Sequence, residues 1–499
     1  MGKIIRFILR TIWGFSALFG LAVLALMAGA GWIFYQSVGP DDVELPSGQS
    51  VLALSLPGDL EQPTELAGPA GDVLSEFVYD PQIGLVHRYM AIDALIRAAD
   101  DPQIAGLRVQ LDNDGLTMAM VDELISVLDR FRASGKQTEV FVTSMPVQAS
   151  SAIALASSFH HVTVEQHGFF APSGYAIEMP FAADFVDWLG LNPELAQRHE
   201  FKGGVDPLLH KTMPLPLRRN LQALVDDLYG QLRGALAEGR DLADLVVDAI
   251  IDRSPLSARE MLDFKLADAV MSYDEWLEED VVSALGLYEY MAVLVRRDQM
   301  VEDQALQVGV LPLSGVLAPS GGPGSNLLDS ELAFRRIDAL REDRELDAVL
   351  LLIDSPGGDF ITSWRLMAQI RALADSGVPV VALIADQAAS GGYMLALAGD
   401  VILASASAIT GSIGVYGGKI SLQPLMDHIG VHWQRVSRGR HAGLWSPFFD
   451  FSPTARDRLE ALIDDSYRHF TELVAQRRKL APDELDLAAR GRVFTANQA

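Results

Sequence analysis

The chain has 499 residues, 49% of them hydrophobic, with no cysteine and a formal net charge of −27. That length and apolar content allow two large domains, each with its own core. The lack of cysteine excludes disulfides, thiolate nucleophiles and Cys-based metal sites, and the strong negative charge excludes nucleic acid as a partner.

At the N-terminus, Lys3, Arg6 and Arg10 precede an uncharged apolar run from Ile12 to Tyr35. About 20 apolar residues are enough to cross a bilayer. Acidic Asp41, Asp42 and Glu44 follow the run, so the positive-inside rule predicts a cytoplasmic N-terminus and an exported body. A cleaved signal peptide competes as a reading, because Ala28, Gly29 and Ala30 offer a small-residue site. The run is longer than a signal h-region and continues through Trp32, Ile33 and Phe34, which favours an uncleaved anchor within residues 1–40.

Beyond the anchor the chain reads as two copies of one pattern. "AIDALIRAADDPQIAGLRVQLDNDGL" from Ala91 parallels "RRIDALREDRELDAVLLLIDSPGGDF" from Arg335, each a helix, a polar break, a strand and a Gly-containing loop. Ser134 then aligns with Ser376, Ser151 with Ser390, and Gly190 with Gly430. Short apolar β-branched runs alternate with helix-period segments, which predicts an α/β fold of two tandem βαβ domains with mostly parallel strands. The first repeat spans 41–294, including a helical, charge-rich extension that begins near Pro214; a polar linker covers 295–304, and the second repeat covers 305–499. That second repeat stops at "GRVFTANQA", where the first continues into a closing helix and strand. It is therefore expected to be truncated.

In the second copy, "AASGGY" (Ala388–Tyr393) puts Ser390 between the apolar runs Val378–Ala385 and Met394–Ala398. A strand ending before Ser390 and a helix starting after it would set the hydroxyl where free N–H groups and the macrodipole favour negative charge. "DSPGGD" (Asp354–Asp359) adds a second glycine pair at the end of the preceding strand, where open α/β sheets bind ligands. Two such loops can form an oxyanion hole. Singly, each motif is as well explained as an N-cap or a turn. What favours chemistry is their pairing in successive loops, together with their decay in the first copy, where Ala152 and Ile153 follow Ser151 and "LDNDG" replaces "DSPGG".

A serine nucleophile needs a base. His160, His161, His167, His428, His432 and His441 occur at no spacing that signals a triad. Lys202, in "EFKGGVDP" of the first copy, stands opposite Ala442 of the second. A lysine must be desolvated to act as a base near neutral pH.

"DSPGGD", "AASGGYMLALAGD" and "ITGSIGV", carried in this order, resemble the long, duplicated form of the SppA-type signal peptide peptidases, peptidase family S49. This is a family of membrane-anchored serine proteases with the Clp protease/crotonase fold, and the resemblance covers nearly the whole chain. It implies Ser390 as nucleophile, Lys202 as base and Ser412 as the residue that orients the lysine. It also implies an oxyanion hole from Gly357 or Gly358 with Gly391, and no metal or cofactor. Cleaved signal peptides and other hydrophobic peptides would be the substrates, and the protein a homotetramer on the bacterial inner membrane with a periplasmic body. Many relatives carry a small or polar residue where Gly203 stands, so a looser lysine loop is expected. Two other classes remain open on the residues: a catalytically inactive membrane scaffold, and an acyl-CoA-processing crotonase-like enzyme.

Overall fold

The computed structural model describes residues 49–61, 81–112, 115–279, 283–299, 306–319 and 326–499. The expected anchor at 1–40 lies outside them; among the described residues no helix is long and apolar enough to cross a membrane.

The first repeat is built on a six-stranded parallel sheet. Its strands are β1 (Ser50–Leu56), β2 (Ile104–Leu111), β3 (Gln137–Val142) and β4 (His161–Glu165), with β8 (Ala269–Met271) and β9 (Ala284–Gly286) at the edges, in the order β8-β4-β3-β2-β1-β9. Between them lie the short strands β5 (Phe169–Phe170), β6 (Asn192–Arg198) and β7 (Leu256–Ser257). The second sheet runs β10 (Val308–Ser314), β13 (Ala348–Ser355) and β14 (Val380–Ala389). The ten residues of β14 serve two neighbours, β15 (Val401–Ala404) along their first half and β16 (Ile409–Gly411) at their end. β18 (Val493–Thr495) closes antiparallel on β16. β11 (Val316–Leu317) and β12 (Leu327–Leu328) form a small ladder beside the second sheet, and β17 (Val415–Ser421) pairs away from it.

The near-continuous apolar run of β13 is buried along most of its length, as expected of a parallel strand covered on both faces. The helix Phe360–Asp375 follows, its N-terminus capped by the Asp359 carboxylate, which accepts from the Thr362 amide at 2.8 Å. Leu366, Met367, Ile370 and Leu373 at helical spacing hold it on the second core. That docking fixes the direction in which the "SPGG" loop leaves the sheet. The stretch expected as a linker begins inside a helix, Leu287–Gln299.

Among the contacts that join the repeats, two bear on the site. A buried polar seam centres on Arg88, whose guanidinium meets Glu123 at 2.6 Å and, across the repeat boundary, Asp386 of β14 at 2.8 Å; Thr117 also hydrogen-bonds Asp386. The other is a two-stranded antiparallel ribbon of β6 from the first repeat and β17 from the second, in register from Val415 opposite Arg198 to Ser421 opposite Asn192. The helix Pro453–Arg478 covers this ribbon, with Leu459 and Ile463 packed on Ala196. β6 thus leads the first repeat onto the second just ahead of Lys202.

Candidate active site

Ser390 sits between the end of β14 and the helix Gly391–Ala396 with φ +54° and ψ −116°, a conformation that L-residues enter at a cost and that recurs where function requires it. The backbone is held on both sides: its amide donates to Gly411 O at 2.9 Å and its carbonyl accepts from the Met394 amide at 3.0 Å. The hydroxyl makes no cap bond to the helix it precedes. It is turned instead into a cleft.

Lys202 follows β6. Its stem is enclosed by glycines: a Cβ at Gly491 would lie 2.5–2.6 Å from Lys202 backbone and Cβ atoms, and one at Gly414 would lie 3.0 Å from Cδ. The residue is 5% exposed. Its Nζ lies 3.0 Å from Ser390 Oγ, 2.9 Å from Ser412 Oγ and 2.8 Å from Ser412 O. Burial pulls the amine down from 10.5 to about 7, because charging it there forfeits hydration. Ser412 also has a positive φ, +52°, and its amide is tied to Arg492 O on the approach to β18. The three side chains named from the sequence therefore meet within one chain, two from the second repeat and one from the first.

The glycines divide in position. Gly357 donates its amide to Ser355 Oγ at 3.2 Å, and its φ of +99° sets it against Ala389 O and the Ser390 Cβ with no space for a side chain. Gly358, at φ +151°, bridges to Leu317, which donates to Gly357 O and accepts from the Asp359 amide. This turns the Gly358 amide away from Leu317. Gly358 and Gly391 both line the cleft beside Ser390, and neither amide has a hydrogen-bond partner among the described residues. A Cβ on Gly391 would collide with Ser363 Oγ.

The cleft holds about 690 Å³. Met179, Leu217 and Leu221 of the first repeat and Met394, Leu459 and Phe470 of the second make its walls largely apolar. Gly203 does not loosen the lysine loop as expected: a Cβ there would sit 2.8 Å from Leu217 methyls, and at Gly204 one would sit 3.0 Å from the Tyr416 ring. The loop is packed tightly because it lacks side chains.

In the first repeat Ser151 lies inside the helix Ser150–Ser157, with Oγ 3.3 Å from Tyr175 Oη. Ala442, opposite Lys202 in the repeat, is exposed. The six histidines considered are all exposed, and none lines the cleft. Gly414, Gly491, Ser363 and Tyr416 were not singled out from the sequence. Gly414 belongs to the "ITGSIGV" motif and so carried a signal. Gly491 lies in the terminal "GRVF", where the repeat comparison suggested only an interrupted domain.

The model of peptidase family S49 matches residues 130–282 and 372–499, more than half of the chain and both halves of this constellation. The chain belongs to peptidase family S49. Membership of S49 places it among the serine peptidases. "Protease 4" of Haemophilus influenzae is 24% identical over 488 residues, covering 94% of this chain and 78% of its own length. "Protease 4" of Salmonella typhi is 26% identical over 428 residues, covering 82% and 68%. "Serine protease SPPA, chloroplastic" of Arabidopsis thaliana is 25% identical over 422 residues, covering 81% of this chain and 61% of its own, so the chain spans less than two thirds of that relative.

Proposed function

We propose that this S49 member is a serine endopeptidase working through a Ser390/Lys202 dyad on hydrophobic peptides, cleaved signal peptides among them. The observation that carries the reading is the separation of 3.0 Å between a lysine amine pulled down to about 7 and the Ser390 hydroxyl.

The proton inventory follows from the three neighbours of Nζ. A neutral amine has two N–H groups and one lone pair. The Ser412 carbonyl can only accept, which takes one N–H; the other goes to Ser412 Oγ, leaving the lone pair for the Ser390 O–H. Lys202 is thus aimed to take the proton as Ser390 Oγ attacks a peptide carbonyl. The Gly358 and Gly391 amides hold the oxyanion, Gly391 with the added field of its helix N-terminus. The ammonium then protonates the leaving amine, and the regenerated amine activates the water that hydrolyses the acyl-enzyme.

The apolar cleft supports hydrophobic substrates. An anchor at 12–35, an exported body and a homotetramer complete the reading. Its test is cleavage of a synthetic apolar signal peptide by the full chain in mild detergent, beside Ser390→Ala and Lys202→Met. The parent is expected to cleave and both variants to fall to background. Parent-level cleavage by either variant would overturn the dyad, and an inert parent would return the protein to the scaffold class.

A further inference from the structure

We propose that Lys419 is a positioning residue for substrate binding: its ammonium grips the loop 444–449 and sets Trp445 as a wall of the cleft that takes a large apolar side chain of the peptide. This deepens the peptidase reading and rests on it, although the grip and the wall can both be measured without turnover.

Lys419 lies on β17, and its side chain is 8% exposed. Its Nζ lies 2.9 Å from Leu444 O, 2.9 Å from Ser446 O and 2.7 Å from Phe449 O. An ammonium has three N–H donors and no acceptor, so these carbonyls use all three. The charge is balanced by the Glu194 carboxylate, 4.0 Å away on the residue opposite in the β6–β17 ribbon, and by the Phe451 ring, whose centroid lies 4.2 Å from Nζ. Glu194 also accepts from the Phe451 amide at 2.6 Å. With no donor left over, the ammonium serves the loop alone.

The loop needs such a grip. Residues 429–450 contain no helix or strand, and none of 444–449 is fully buried. Within the loop the amides of Leu444 and Ser446 reach back to His441 O and Gly443 O, as single turns. Beyond Lys419, its ties to the ribbon side are at the far end, where the Leu422 amide donates to Pro447 O and the Asp450 amide to Gln423 Oε1. Two of the gripped carbonyls, at 444 and 446, flank Trp445, so Lys419 fixes the point from which the indole departs.

Trp445 lines the cleft beside Tyr416, Leu459, Leu462 and Ile463. It is 58% exposed, with one edge-on contact to Phe451 at 6.2 Å between centroids. An indole set among apolar side chains at a cleft wall offers area that a further apolar group covers. The same turn does different work in the two repeats. At an offset of 240, Ala442 and Gly443 stand opposite Lys202 and Gly203, and Trp445 opposite Val205. In the first repeat the turn carries a base to Ser390; in the second it carries an indole to the wall of the same cleft. The residue opposite Lys419 is Met179, which itself lines the cleft. The turn that lacks the base is thus kept for substrate selection, and Lys419 is the residue that holds it there.

The chain has no native cysteine, so a nitroxide attached through Ser446→Cys reports on this loop alone. In the full chain in mild detergent the label should be immobilised, and Lys419→Met should make it mobile, while a label through Glu472→Cys on the helix Pro453–Arg478 keeps one spectrum in both. In Ser390→Ala protein, a fluorescent apolar signal peptide should bind roughly tenfold more weakly after Trp445→Ala, from loss of the ring area it covers, and by a similar factor after Lys419→Met. The double variant should bind no more weakly than either single one, because both changes remove the same wall. With Ser390 present the loss should fall on KM, with kcat within about twofold of the parent. An immobile label in Lys419→Met, parent affinity in Trp445→Ala, or losses that add in the double variant would overturn the proposal. Trp445 is exposed, so its variant tests the wall even where Lys419→Met does not fold. A parent that binds the peptide through Trp445 without cleaving it would remove the dyad reading and leave this one standing; equal binding by parent, single and double variants, with cleavage intact, would do the reverse.

Discussion

Replacing Lys202 with methionine removes the titrating amine while keeping an unbranched apolar stem in the same enclosure, so it isolates the cost of the buried charge. The shift from 10.5 to about 7, at about 1.4 kcal/mol per unit, comes to about 5 kcal/mol. Below pH 7 the folded and unfolded chains both bind the proton, and the full cost of a desolvated ammonium falls on the fold. Between pH 7 and 10.5 only the unfolded chain binds it, so stability rises with pH across that window and levels off above it. The methionine variant lacks this dependence. Its stability relative to the parent should fall by about 4 kcal/mol between pH 6 and pH 10, whatever constant offset the lost hydrogen bonds add. Urea denaturation at pH 6, 8 and 10 measures it, with both proteins carrying Ser390→Ala to prevent self-digestion. A difference that stays constant with pH would mean that Lys202 keeps an ordinary lysine affinity for its proton, and the base assignment would fail with it.

Four further expectations follow from single contacts. Ser412→Ala deletes one hydrogen bond to the amine but leaves the carbonyl, so kcat/KM should fall by about fivefold, in line with a bond of about 1 kcal/mol; an unchanged value would leave Ser412 without an orienting role. Gly391→Ala drives a methyl into Ser363 Oγ and should abolish phosphonate labelling of Ser390, and adding Ser363→Ala should restore part of it; no recovery would place the damage elsewhere. Arg88→Met leaves Glu123 and Asp386 without their shared cation at the seam and should destabilise the chain by about 3–5 kcal/mol, read as a lower urea midpoint; a loss below about 1 kcal/mol would mean that the carboxylates find other partners. Asp354 is raised to about 6 by burial and by the nearby Asp386. Asp354→Asn should therefore stabilise the protein above pH 6, where the folded parent must hold the charge, and lose that advantage near pH 4; equal effects at both pH values would contradict the buried-charge account.

The α/β alternation, the duplication and both glycine loops were legible in the sequence because each is a local pattern: apolar strand runs, a fixed repeat offset, and glycines where a side chain cannot fit. Lys202 was legible as an asymmetry, since the first copy kept a lysine where the second has Ala442. The β6–β17 ribbon was not. β6, "NPELAQR", has one buried residue, Ala196, and its partner strand lies over 200 residues away, so neither periodicity nor propensity marked it. The same distance hid Gly491, whose missing side chain matters only because Lys202 occupies that space. The glycine pairs alone left Gly357 and Gly358 as equal candidates beside Gly391; Gly357 spends its amide on Ser355, whereas Gly358 and Gly391 line the cleft with amides that have no hydrogen-bond partner among the described residues.

The most direct test of the dyad is the rate at which a phosphonate probe labels Ser390 as a function of pH, in the parent and in Lys202→Met. The account predicts a rate that rises through a single titration near pH 7, where Lys202 loses its proton, and then levels off, with labelling in the variant at background throughout. A parent profile still rising toward the range of an ordinary lysine, or a variant that labels at the parent's rate, would contradict it.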